Sequence, residues 1–196
     1  MKTRPYHHGD LRAALLSHAE QGLREKGPGA LSLRELAREA GVSPGAPSRH
    51  FRNKQALLDA LALEGFDRLT AVLTGAVERA GEAFADRLAA LARGYLAFTA
   101  GNAALLDLMY TTKYDADASG ELIAATRRLS AVASGLIEHG QRRGEVREGP
   151  VERVALPLMA ALQGLGTLAT TGALPPERIE QSLDDTVAFL LRGYAP

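Results

Sequence analysis

Apolar positions recur at helical spacing along nearly the whole chain. Leu11, Leu15, Ala19 and Leu23 stand every fourth residue and predict a helix from about Asp10 to Lys26, which Gly27-Pro28-Gly29 stops. Leu33, Leu36, Ala37 and Ala40 then follow the i, i+3, i+4, i+7 pattern of a short second helix. Ser32 and Glu35 have the spacing of a capping box at its start, and Gly41 is its natural stop. Ser43-Pro44 starts a third helix with Ser43 as N-cap and Pro44 at the first helical position, ending near Phe51. Asn53 caps a fourth, whose stripe is Leu57, Leu58, Leu61, Ala62, Phe66, Leu69 and Leu73. Beyond Gly81 the same pattern predicts helices at about 86–100, 102–112, 119–143, 151–171 and 176–193, with Asn102 as an N-cap. No alternating strand pattern appears, so the expected fold is all-α.

The third helix differs from its neighbours. It carries almost no apolar stripe and turns Ala46, Ser48, Arg49 and His50 outward. A short helix, a tight glycine turn and a small-faced polar helix together make a helix-turn-helix. A helix entering the roughly 12 Å wide major groove needs small or hydrogen-bonding side chains outward, with basic groups at its edges for phosphates. An ordinary helical hairpin is the alternative, but it would bury a stripe that Pro44–His50 lacks.

Charge supports the DNA reading. The 196 residues hold 23 basic and 23 acidic side chains. Through Gln55, however, ten are basic (Lys2, Arg4, Arg12, Arg24, Lys26, Arg34, Arg38, Arg49, Arg52, Lys54) and five acidic (Asp10, Glu20, Glu25, Glu35, Glu39). A basic head on an acidic body meets a polyanion. With no cysteine there is no disulfide, thiol nucleophile or Cys-based metal site, and the first residues have no apolar core of a secretory signal. A cytoplasmic protein is expected.

The stretches His7-His8-Gly9-Asp10-Leu11-Arg12, Leu31-Ser32-Leu33-Arg34-Glu35-Leu36-Ala37-Arg38-Glu39-Ala40-Gly41-Val42-Ser43 and His50-Phe51-Arg52-Asn53-Lys54-Gln55-Ala56-Leu57-Leu58 resemble the N-terminal domain of TetR/AcrR-type transcriptional regulators. The body from Phe84 to Tyr194 resembles the WHG-containing branch through its helical layout and Leu106-Asp107-Leu108-Met109-Tyr110. The resemblance implies a helix-turn-helix domain over residues 1–55, a connecting fourth helix over 53–80, and an effector-binding and dimerisation domain over 81–196. It further implies that Ser32 and Arg34 contact backbone or an outer base, and that Ser43, Pro44, Gly45 and Ala46 face base edges. By the same resemblance His50 meets phosphate and Lys54 anchors phosphate. Ser48 stands where the family usually has a Tyr that touches the DNA backbone; either affinity is lower, or Arg49 and an N-terminal arm with Lys2 and Arg4 take more of the load.

For the body, Tyr95, Phe98, Leu105, Met109, Tyr110, Ile123, Thr126, Met159 and Gln163 are candidates to line an apolar effector cavity; plain core is the alternative for each. Residues 154–176 carry no charge, a length sufficient for a membrane span. Pro157, Gln163, Gly164, Gly166 and the following threonines and prolines favour a dimer-forming helix instead, with Leu162 and Gly166 pairing with Leu183, Val187 and Leu190 of the last helix. Gly164-Leu165-Gly166-Thr167-Leu168-Ala169 matches a dinucleotide fingerprint in letters only, since it lies inside a helical pattern. Nucleophile-elbow, zinc-protease and P-loop motifs are absent, so neither an enzyme, a cofactor nor a metal is expected. The expected function is a homodimeric, small-molecule-responsive regulator of double-stranded DNA, of repressor type. An architectural DNA-binding protein without a cavity is the rival reading, and an activator of the same family a second.

Overall fold

The computed structural model describes residues 8–115 and 118–196, with side chains from residue 11. Those residues form eight α-helices and no strand: α1 His8–Lys26, α2 Leu33–Glu39, α3 Lys54–Arg79, α4 Phe84–Gly101, α5 Ala103–Thr112, α6 Gly120–Arg142, α7 Val151–Thr170 and α8 Ile179–Tyr194. The all-α expectation holds, and most helix ends fall within two residues of the periodicity reading.

Two compact units share the chain. The first runs through Gly65 and takes in Ala104–Ile123; the second comprises Phe66–Ala103 and Ala124–Pro196. The division falls inside α3 rather than after it, because α5 packs on the first half of α3. A Cβ added at Gly65 would lie 2.6 Å from the Met109 sulfur and 3.2 Å from Leu105 Cγ, so only glycine lets the helices come this close.

In the first unit Leu15, Leu16, Ala19 and Leu23 of α1 are buried, as are Leu31, Leu36, Ala37, Phe51, Leu57 and Leu61. α2 ends in a Schellman motif: Gly41, at φ +67, donates to the Arg38 carbonyl at 3.2 Å, and Val42 donates to that of Ala37 at 2.9 Å. Asn53 caps α3 as expected, its Oδ1 accepting the Ala56 N–H at 2.9 Å. Two other caps differ. Ser32 occupies the N-cap of α2 in an extended conformation, but its side chain makes no capping bond; Glu35 is held instead by Lys26 at 3.3 Å and Arg38 at 3.7 Å. Asn102 closes the helix before it, its amide donating to the Phe98 carbonyl at 2.9 Å, rather than opening the next.

The second unit is built where α4, α7 and α8 pack on one another. Leu88, Leu91 and Tyr95 of α4, Val154, Leu158 and Leu162 of α7, and Leu183, Val187 and Leu190 of α8 are all buried. The glycine-rich fingerprint lies within α7, as its helical pattern required, and Gly166 serves packing: a Cβ there would come within 3.1 Å of the Tyr95 ring. Among the described residues no helix is long and apolar enough to cross a membrane.

One bond ties distant parts of this unit together. Glu145 accepts the Phe84 N–H, in the first turn of α4, at 2.5 Å and the Arg143 Nε at 2.5 Å. The carboxylate thus sits on the positive end of α4. First the Phe84 amide and then Arg143 hold its pKa below the ordinary 4.5. A depressed folded pKa adds stability that is present above the unfolded value and lost as pH falls through the folded one. Glu145→Gln is therefore expected to melt below the parent at pH 7, with the gap closing as pH falls below 4.5 and through the parent's depressed folded pKa. Thermal scans across pH 3–7 check this; a gap that stays constant with pH would refute the role.

Candidate nucleic-acid interface

The reading segment between α2 and α3 is not an α-helix. Ser43–Ala46 form a turn closed by the Ala46 N–H on the Ser43 carbonyl at 2.9 Å, and Pro47–Arg49 form one 3₁₀ turn. The reason is Pro47. In an α-helix its nitrogen would donate to the Ser43 carbonyl, but it has no hydrogen to give, and its ring crowds that carbonyl. The expected third helix is thus corrected to a stiff turn, and Ser43 does not cap it.

The turn is pinned from beneath. Pro47 and Phe51 are buried, and the Phe51 N–H donates to the Pro47 carbonyl at 2.9 Å. The Arg12 guanidinium lies 5.6 Å from the Phe51 ring centre, while pairing with Glu64 at 3.7 Å. Above this pin Ser43, Pro44, Gly45, Ser48 and Arg49 are exposed, and Ala46 and His50 half-buried. Ser32, Arg34, Glu35, Arg38, Val42 and Pro44 line an open cleft of about 560 Å³ between the start of α2 and the turn.

The charges of the head sort into two groups. Arg12, Arg24, Lys26 and Arg38 are committed to Glu64, Glu20, Glu35 and Glu35. Lys54 donates to the Gly29 carbonyl at 2.7 Å, so its ammonium ties the start of α3 to the loop before α2. Among the described residues Arg34, Arg49 and Arg52 have no such intrachain partner and are exposed. They flank the turn and stand ready for an external anion. Arg52 was part of the charge surplus in the sequence but not of the expected contact set; its lack of an acidic partner is visible only in three dimensions. Arg4 lies outside the described residues.

The residues expected to line an effector cavity divide between the units. Tyr95 and Phe98 are buried in the second, where Thr126 and Gln163 are half-buried and Met159 is exposed. In the first, Leu105 and Met109 are core and Ile123 is exposed, while Tyr110 is half-buried with the Lys113 ammonium 4.3 Å from its ring centre. Burial of Leu105 and Met109 is common to plain core and to the wall of an enclosed cavity.

The expected dimer residues all lie in the second unit. Leu162, Leu183, Val187 and Leu190 are at most 8% exposed and Gly166 is buried, so all five hold the subunit's own core. The apolar side chains that α7 and α8 leave outside are Leu156, Met159, Leu168 and Phe189, exposed by 62, 40, 49 and 69%.

A short helix, a glycine turn and a small-faced segment ringed by arginines without a partner among the described residues define a DNA-binding helix-turn-helix protein. The family model for bacterial regulatory proteins of the tetR family matches residues 15–61, and that for the tetracyclin repressor-like C-terminal domain matches residues 88–192. No curated protein matches the chain. A protein with unknown function from Rhodococcus sp. RHA1 is 42% identical, with a TM-score of 0.92, 99% of this chain and 100% of that one being covered. A bacterial regulatory protein in the tetR family from Rhodococcus RHA1 is 25% identical with a TM-score of 0.72, covering 94% and 97%. The transcriptional regulator FadR from Bacillus subtilis, solved in complex with stearoyl-CoA, shares the fold at 16% identity, with a TM-score of 0.77 and 92% and 98% covered. The chain belongs to the TetR family of transcriptional regulators, with a DNA-binding helix-turn-helix and a ligand-binding C-terminal domain.

Proposed function

We propose that the chain is a one-component repressor that binds a near-palindromic operator as a homodimer and leaves it when a small, largely apolar effector occupies the body. The observation that carries the DNA half is the turn Ser43–Ala46, exposed at Ser43, Pro44 and Gly45 and flanked by Arg34, Arg49 and Arg52, none of which has an intrachain partner among the described residues. The turn offers no long donor of its own, so Arg34 at the cleft supplies the bidentate base contact and Arg49, Arg52 and His50 the phosphate contacts. Shape and apolar contact supply the remaining selectivity.

Self-association is assigned to α7 and α8, whose exposed Leu156, Met159, Leu168 and Phe189 supply apolar side chains for a second copy to cover. A twofold pair would set two reading turns about one helical turn of DNA, ~34–36 Å, apart. For the effector, the buried Tyr95 and Phe98 and the half-buried Thr126 and Gln163 offer apolar surface with few polar anchors. FadR, which shares the fold, was solved in complex with stearoyl-CoA, and this supports an effector with a long apolar chain. α3 begins in the reading unit and ends in the body unit, so it is the element through which effector and DNA oppose each other reciprocally. The protein acts by binding, without catalysis.

The test is selection of genomic fragments by the purified protein at about 150 mM salt. One enriched near-palindrome is expected, whereas diffuse enrichment would favour the architectural reading. On that operator Arg34→Ala is expected to cost about 10–100-fold and to relax one base position. Lys54→Ala discriminates between two roles for the ammonium. A salt slope lowered by about one per subunit assigns it to phosphate; an unchanged slope leaves it as the tie to Gly29.

A further inference from the structure

Within the second unit, the second half of α3 and the middle of α6 leave an open trough of about 350 Å³. This lies at the lower end of the volume range of small-molecule sites. Thr74 and Val77 form one wall, Ala131, Val132 and Leu136 the other, and Gly135 opens the floor, where an added Cβ would meet no atom within 4 Å. None of these residues is among the effector candidates, and neither the reading turn nor the α7–α8 face includes them.

The rim carries three charges. Arg128 is bound to Asp67 at 2.7 Å, and Arg87 to Glu82 at 3.2 Å and to the Gly81 carbonyl at 3.1 Å. Glu78 has no intrachain partner among the described residues. Both cations of the trough are thus neutralised, and the charge left for a ligand is negative. From Thr70 to Glu78 the trough extends along nine residues of helix, about 12 Å from first to last. We propose that this trough is a second, outer binding site for small amphipathic organic cations, with the apolar part lying between α3 and α6 and the positive group on Glu78. The site is independent of the DNA-binding reading.

The probe is n-octyltrimethylammonium, compared with octyl sulfate, both below micelle-forming concentration and followed by methyl NMR on the full-length chain. The cation is expected to shift the Val77, Val132 and Leu136 methyls and to bind at least threefold more tightly than the anion. Glu78→Gln is expected to weaken the cation about threefold, the scale of an exposed ion pair. Gly135→Leu fills open space and favours the helix, so the fold is retained while binding at the trough is lost. Equal binding of the anion, unchanged affinity in Glu78→Gln, or binding that survives Gly135→Leu would each overturn the proposal. A change of oligomeric state in Gly135→Leu would overturn it as well, because the trough would then be a protein interface.

Discussion

A chain carrying Leu156→Glu and Phe189→Glu together is expected to sediment as a monomer and to lose at least about 100-fold in operator affinity. Both side chains stand outside the subunit, 62 and 69% exposed, so the exchange removes little from the subunit's own core. In the proposed dimer the same positions would be buried, and two carboxylates from each subunit would have to shed water without a partner. The affinity loss follows from linkage: two joined reading heads make the second half-site contact intramolecular, typically a gain of 10²–10⁴. Leu183→Ala is the contrasting change. At 4% exposure it lies in the α4–α7–α8 core, and its loss is expected to cost about 2–5 kcal/mol of subunit stability. Sedimentation and melting together decide the matter. A double-glutamate chain that remains a dimer at micromolar concentration, with unchanged melting, would show that α7 and α8 meet nothing.

Phe51→Ala is expected to abolish specific DNA binding. The ring is 2% exposed, lies under the Arg12 guanidinium and follows the 3₁₀ turn that the His50 N–H closes on the Pro47 carbonyl. Removing a buried phenyl costs about 3–5 kcal/mol, which for a chain of this length is on the order of 10 °C in melting temperature. The reading segment has no apolar stripe and few internal hydrogen bonds, so it has little with which to hold its shape once the pin is gone. Phe51→Leu, which keeps part of the volume, is expected to recover much of both properties. Wild-type affinity in the alanine variant would mean that the turn is held by something other than Phe51.

Most of the fold was legible because it rests on local rules. The stripes of α1, α2 and α3, the glycine at the end of α2 and the Asn53 cap each depend on residues within a turn or two of one another. The reading turn was legible as a place but not as a conformation; Pro47 decides that, through a hydrogen it does not have. The α7 face was illegible for a different reason. Val154, Leu158 and Leu162 point in, yet Leu156, Met159 and Leu168 point out, and a helix apolar on both sides carries no polar marker of which side is solvent.

The chain's own order of residues determined the number and sequence of helices, the small, stiff character of the segment between α2 and α3, and the basic surplus around it. Only the tertiary structure decided which of those charges are free. Lys26 and Arg38 are spent on Glu35 and Lys54 on Gly29, while Arg34, Arg49 and Arg52 have no intrachain partner among the described residues. The physical reason is reach. Periodicity and capping act within a turn or two of backbone, but the partner of a long flexible side chain is whichever group the packed elements bring alongside it.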